Sequence, residues 1–172
     1  MWKNYRFDPK KFRLGLRTLK TGIAVFFVIL LFQFLGWEGT NIAALTAVFS
    51  LREDFGKSLH FGSSRILGNT IGGFYAICFF ILSQFFHGQA WVSLIFVPIC
   101  TMLTIMTNVA MSNQAGIIGG VAALLIITLS APVGGPIQYA IVRVFETFIG
   151  VFIAILVNID LDKIRTIKKK HK

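Results

Sequence analysis

Arg143 and Glu146 are the only charged residues in the apolar stretch 137–159. A charge at the middle of a bilayer costs about 2.5–3.5 kcal/mol on insertion scales, so an idle one there is rare. Their i, i+3 spacing puts both on one helix face, where they can pair. Thr147, Gly150 and Ala154 continue that face, and Arg65, Gly68, Asn69, Gly72 and Ala76 repeat the pattern earlier in the chain. Two kinds of chemistry are open to such a stripe. The arginine attracts an anionic solute while Glu146 restrains it or carries a proton; or small residues bring helices together and the ion pair locks the bundle.

Thr101, Thr104, Thr107 and Asn108 give a polar edge to the stretch 91–110, and Thr104 and Asn108, at i, i+4, can face one cavity. Gly68-x-x-x-Gly72 and Gly116-x-x-x-Gly120 are packing motifs, and Gly150 belongs with them. His60, His87 and His171 are too scattered for a metal cluster, and Cys78 and Cys100 fall in apolar segments where free thiols act as small hydrophobes. No phosphate-binding loop, nucleophile–base pair or metal-ligand spacing occurs. The sequence therefore argues against an enzyme and calls for no cofactor or metal.

These residues must be positioned by membrane helices. No Asp, Glu, Lys or Arg occurs from residue 66 to residue 142, a length that holds about three crossings of 20 residues. The expected fold is all-α: a polytopic bundle of six spans at 21–37, 39–51, about 66–86, 91–110, 115–131 and 137–159. The second is short enough to raise the alternative of a re-entrant half-helix. Basic residues decide against it. With six crossings, 16 of the 17 lysines and arginines fall on one side, which marks the cytoplasm. Arg52, Lys57 and Arg65 then share one cytoplasmic loop. Residues 1–20 form a basic cytoplasmic N-terminus, 21–159 the membrane domain and 160–172 a basic cytoplasmic tail. The net charge of +10 is thus read as contact with anionic lipid rather than with nucleic acid.

Residues 65–76 align without gaps to residues 143–154, with five of twelve positions identical, Arg65 matching Arg143 and Asn69 matching Thr147. Units of three crossings, about 21–86 and 91–159, would be inverted relative to one another, as in many secondary transporters.

The run from Ala43 to Leu51, followed by Arg65-x-x-Gly68-Asn69-x-x-Gly72, resembles the membrane domain of the fusaric acid resistance/aromatic acid exporter family. Arg143-x-x-Glu146-Thr147-x-x-Gly150 is similar to a second copy of the same signature, and the resemblance covers residues 15–158. Asn69 stands where that family usually has Thr. Many members carry a further domain or a second membrane unit, so a single unit is expected to form a homodimer or larger homo-oligomer. The resemblance implies efflux of aromatic carboxylic acids across a bacterial plasma membrane. On that reading Arg143 contacts the carboxylate, Glu146 is its partner or proton carrier, and Arg65 draws anions to the cytoplasmic mouth. Thr147, Asn69, Thr104 and Asn108 add polar contacts. The competing reading is a non-transporting membrane scaffold assembled through the same faces.

Overall fold

The computed structural model describes residues 15–170 apart from Glu53, Gly88, Val133 and Gly134, and for Leu16 and residues 160–170 the backbone alone. The basic residues 1–14 and the side chains of the basic tail, expected in the cytoplasm, lie outside the described residues. Every regular element described is helical: α1 (Leu16–Leu35), α2 (Thr40–Ser50), α3 (Phe55–Phe85), α4 (Ala90–Ala110), α5 (Ile117–Ser130), entered through the 3-10 turn Gln114–Gly116, and α6 (Pro136–Lys170). Four of them, α1, α3, α4 and α6, are long and apolar enough to cross a membrane, while α2 and α5 are shorter apolar helices.

Local signals set the boundaries. α1 stops at Gly36, whose φ of 61° suits a residue without Cβ, and the Trp37 N–H reaches back to the Phe32 carbonyl at 3.0 Å. The Phe32 and Trp37 rings meet edge-on at 5.9 Å, the apolar contact that accompanies this kind of helix stop. Asp54 caps α3 by accepting from the Lys57 N–H. That cap corrects one expectation: Lys57 and Arg65 are not in a loop but on α3, which begins eleven residues before the expected span. Hydropathy alone stops at the first charge. The helix continues through polar residues because Ser58 and Ser64 are buried against neighbouring elements.

Large apolar side chains point outward: Phe34, Phe85, Leu94 and Ile118 are 77–88% exposed. That is the reverse of a water-soluble core, and it suits hydrocarbon outside with small and polar residues at the helix contacts. The buried apolar residues form two groups. One joins α1, α2 and α6 through Val28, Phe32, Ala47 and Ala154. The other joins α3, α4 and α5 through Ala76, Val92 and Leu124, with Ala140 added from the start of α6.

Helix directions follow from residue pairs. Gly68 and Gly72 of α3 face the carbonyls of Gly116 and Gly120, so α3 runs parallel to the 3-10 turn and α5. Gly39 and Ala43 face Glu146 and Gly150, so α2 runs parallel to α6. Gly62 faces Val151 and Gly73 faces Val144, which makes α3 and α6 antiparallel. At one end of the bundle Lys20 Nζ donates to Asn158 Oδ1 (2.6 Å), Asn158 Nδ2 donates to Ser58 Oγ (2.8 Å) and the Arg52 N–H donates to the same hydroxyl (2.7 Å). α1 leaves that end and α2 comes back to it.

Candidate functional site

Between the two apolar groups runs a polar seam along the α3–α6 crossing. Asn69 Nδ2 donates to Thr147 Oγ at 2.7 Å, joining two residues 78 positions apart, the offset by which their segments align. Asn69 is next to the midpoint of α3, and Thr147 is at the middle of the apolar part of α6, Pro136–Ile159. Thr147 Oγ donates in turn to the Arg143 carbonyl (3.2 Å). Asn69 is 5% exposed, and its Oδ1 has no partner.

One turn along α6, Arg143 Nη1 donates to Glu146 Oε2 at 2.8 Å and Nη2 donates to the Tyr139 hydroxyl at 2.7 Å. The guanidinium also lies over the Tyr139 ring, 4.5 Å from its centroid. The Glu146 carboxylate rests on Gly39, where α2 begins and where any Cβ would overlap it; Gly39 has φ 94°, a second reason for glycine there. The unpaired N–H groups at a helix start favour a carboxylate in that place. Arg143 Nε is buried without a partner.

Two cavities meet at Arg143. The inner one, about 90 Å³, is walled by the short helices α2 and α5 together with α3 and α6, and holds Arg65, Asn69, Arg143 and Thr147. Arg65 lies over the Phe49 ring of α2 at 4.6 Å, and its Nε is also unpartnered. The outer cavity, about 400 Å³, is lined by Trp37, Glu38, Tyr139, Arg143 and Glu146. A much larger hollow of about 1400 Å³ between α1 and α6 holds no charged residue, and Gln33 is its one amide. Size therefore does not point to the chemistry here.

The seam thus gathers Arg65, Asn69, Arg143, Glu146 and Thr147. Thr104 and Asn108 are placed elsewhere. Both are buried, but Thr104 Oγ donates to the Cys100 carbonyl and Asn108 Nδ2 to the Thr104 carbonyl, each on its own helix. Asn108 Oδ1 accepts from Asn113 Nδ2, which also donates to the Ser64 carbonyl. Gly68, Gly72, Gly116 and Gly120 pack on one another, and Gly150 packs on Ala43. Tyr139, Gly39, Phe49 and Gly119 joined the site only in three dimensions, although Tyr139 stands four residues before Arg143 and was open to the i, i+4 rule. No group of three His, Cys, Asp or Glu that could hold a metal ion is found among the described residues.

Comparison with known proteins places this chain in a family. The chain is 30% identical over 151 residues to a UPF0421 protein of Bacillus cereus and 26% identical over 149 residues to one of Oceanobacillus iheyensis, covering 84% and 86% of this chain. A UPF0421 protein of Bacillus thuringiensis aligns at 30% as well, over 84% of this chain. The chain spans about two fifths of the length of these relatives (38–40%). No solved structure matches it. The model of aromatic acid exporter family member 1 matches residues 12–161, and the chain belongs to the aromatic acid exporter family.

Proposed function

We propose that this chain is the membrane unit of a transporter that carries small organic anions, aromatic carboxylates among them, through the seam between α2, α3, α5 and α6. One observation carries the reading: a cavity at mid-helix depth holds two arginines, Arg65 and Arg143, whose Nε donors have no protein partner. Buried donors of that kind are costly unless something accepts from them. A cavity of about 90 Å³ corresponds to about three waters, room for a carboxylate group and little more.

In this proposal all six helices cross, both chain ends are cytoplasmic, and the two halves form an inverted repeat. The support is geometric. α2 returns to the end that α1 leaves, and the third helices of the two halves cross antiparallel at matching residues, Asn69 and Thr147. The short helices α2 and α5 occupy corresponding places in the halves. In transporters built on such repeats, short segments so placed line the substrate site. Both arginines then lie about one turn from the midplane, on opposite sides of it, so an anion would pass from one to the other. Arg143, held by Glu146 and Tyr139, closes the outer side.

Flux through the 172-residue chain in liposomes tests the proposal. Carboxylate efflux in the wild type, and its loss in Arg143→Gln with assembly unchanged, is the expected result. No flux from either, with assembly lost in the variant, would instead mean a scaffold. Single-cysteine labelling at Lys3 and Lys57 checks the topology: both should react from the cytoplasmic side, and Lys57 reacting from outside while Lys3 is inside would overturn the six-span reading.

A further inference from the structure

We propose that the inner cavity selects anions bearing a hydroxyl beside the carboxylate, a 2-hydroxycarboxylate headgroup, and that Gly119 makes the room for it. The inference rests on the transport reading above and specifies the substrate of the same site.

Proton accounting fixes what the cavity offers. The single hydroxyl hydrogen of Thr147 goes to the Arg143 carbonyl, so Thr147 must accept from Asn69, and the Asn69 amide turns its NH₂ toward Thr147. The Oδ1 atom is then left buried beside the cavity, an acceptor without a donor. Arg65, which lines the same space, has a buried Nε donor without an acceptor. A bare carboxylate answers only the arginine, because every oxygen it brings near Oδ1 presents lone pairs. A hydroxyl on the adjacent carbon answers both: the carboxylate accepts from Arg65 and the hydroxyl donates to Asn69.

Gly119 stands where these groups converge. A Cβ there would lie 2.8 Å from Asn69 Oδ1 and 3.5 Å from Arg65 Cζ. The missing side chain therefore brings Asn69 Oδ1 and the Arg65 guanidinium together against bare α5 backbone at the cavity wall. The glycines Gly68, Gly72 and Gly116 are different, since at each of them a Cβ would meet backbone. Those three permit helix contact, whereas Gly119 faces side-chain ends and a cavity.

The test compares lactate, propionate and 2-methoxypropionate, the last having the extra oxygen but no donor, as substrates of the full chain in liposomes. Lactate should be carried about tenfold better than either, the worth of one regained hydrogen bond to a buried group. Asn69→Leu should bring that ratio close to one. Gly119→Ala should lower lactate flux about tenfold and propionate flux less, with thermal unfolding recorded alongside to separate seat from packing. If all three acids are carried equally by the wild type, or if Asn69→Leu keeps the preference, the hydroxyl seat is wrong and the transport reading stands. If none is carried and no other carboxylate is either, the transport reading fails and the seat with it.

Discussion

The pair α3/α5 and the pair α6/α2 are built alike and used differently. Each is a parallel contact between a long helix and a short one, and in each a small residue lets backbones touch: Gly72 against Gly120 in the first, Gly150 against Ala43 in the second. One turn earlier they part. The first pair has Gly68 against Gly116, whereas the second has Glu146 against Gly39, with Arg143 bonded to the carboxylate. At these two glycine pairs the first contact is packing alone. The second sets a charge pair at the start of α2, between the inner and outer cavities. If the two pairs are copies of one frame, as the proposed inverted repeat has them, the position at which they differ in charge is the natural place for a task that only one side performs.

The largest effect should come from breaking that charge pair. The side chains of Arg143 and Glu146 are 17% and 5% exposed, so removing one partner strands the other in a poorly solvated place. Arg143→Leu should cost about 3 kcal/mol of stability, measured by denaturant unfolding in micelles. Adding the isosteric neutral Glu146→Gln should restore most of it. If the double variant is as unstable as the single, the pair does more than balance its own charges, and the two helix contacts differ in architecture as well as in use.

Next in size are the small residues. Alanine at Gly72 would overlap the Gly120 carbonyl, and alanine at Gly150 would overlap that of Ala43. Backbone cannot step aside as a side chain can, so each should destabilise by about 2 kcal/mol, within the usual range for overpacking. Similar losses at both sites would mean that the two contacts are mechanically equivalent. Gly22→Ala, with nothing within 4 Å of the added carbon, is the control and should change little.

What the sequence disclosed follows the physics of each feature. The absence of charge between residues 66 and 142 exposed the membrane helices, because hydrocarbon tolerates little else. The Arg143–Glu146 pair was legible because i, i+3 spacing is a local property. The start of α3 was not, since an Asp54 cap and buried serines carry that helix past the charges that end an apolar run. Asn108 and Thr104 looked equivalent to Asn69 and Thr147 on a helical wheel. Only tertiary packing places the latter pair at a crossing and leaves the former bonded to backbone of their own helix, with Asn108 also accepting from Asn113. The role of Gly39 was invisible for the same reason: its neighbour Glu146 is 107 residues away.

The smallest effect bears on the axis that would relate the two helix pairs. If the halves are related by a two-fold axis in the membrane plane, Asn69 and Thr147 sit on it and bond across it. A double-mutant cycle of Asn69→Ala and Thr147→Val, read by unfolding, should give a coupling of about 0.6 kcal/mol, typical of hydrogen bonds between membrane helices. Coupling near zero would leave the antiparallel crossing held by packing alone, through Gly62 on Val151 and Gly73 on Val144. Those contacts show why the expected value is modest. They lie on either side of the polar pair and already fix the crossing, so the bond has little left to position. Its worth lies in choosing which amide atom faces Thr147, and hence which one is left buried without a partner.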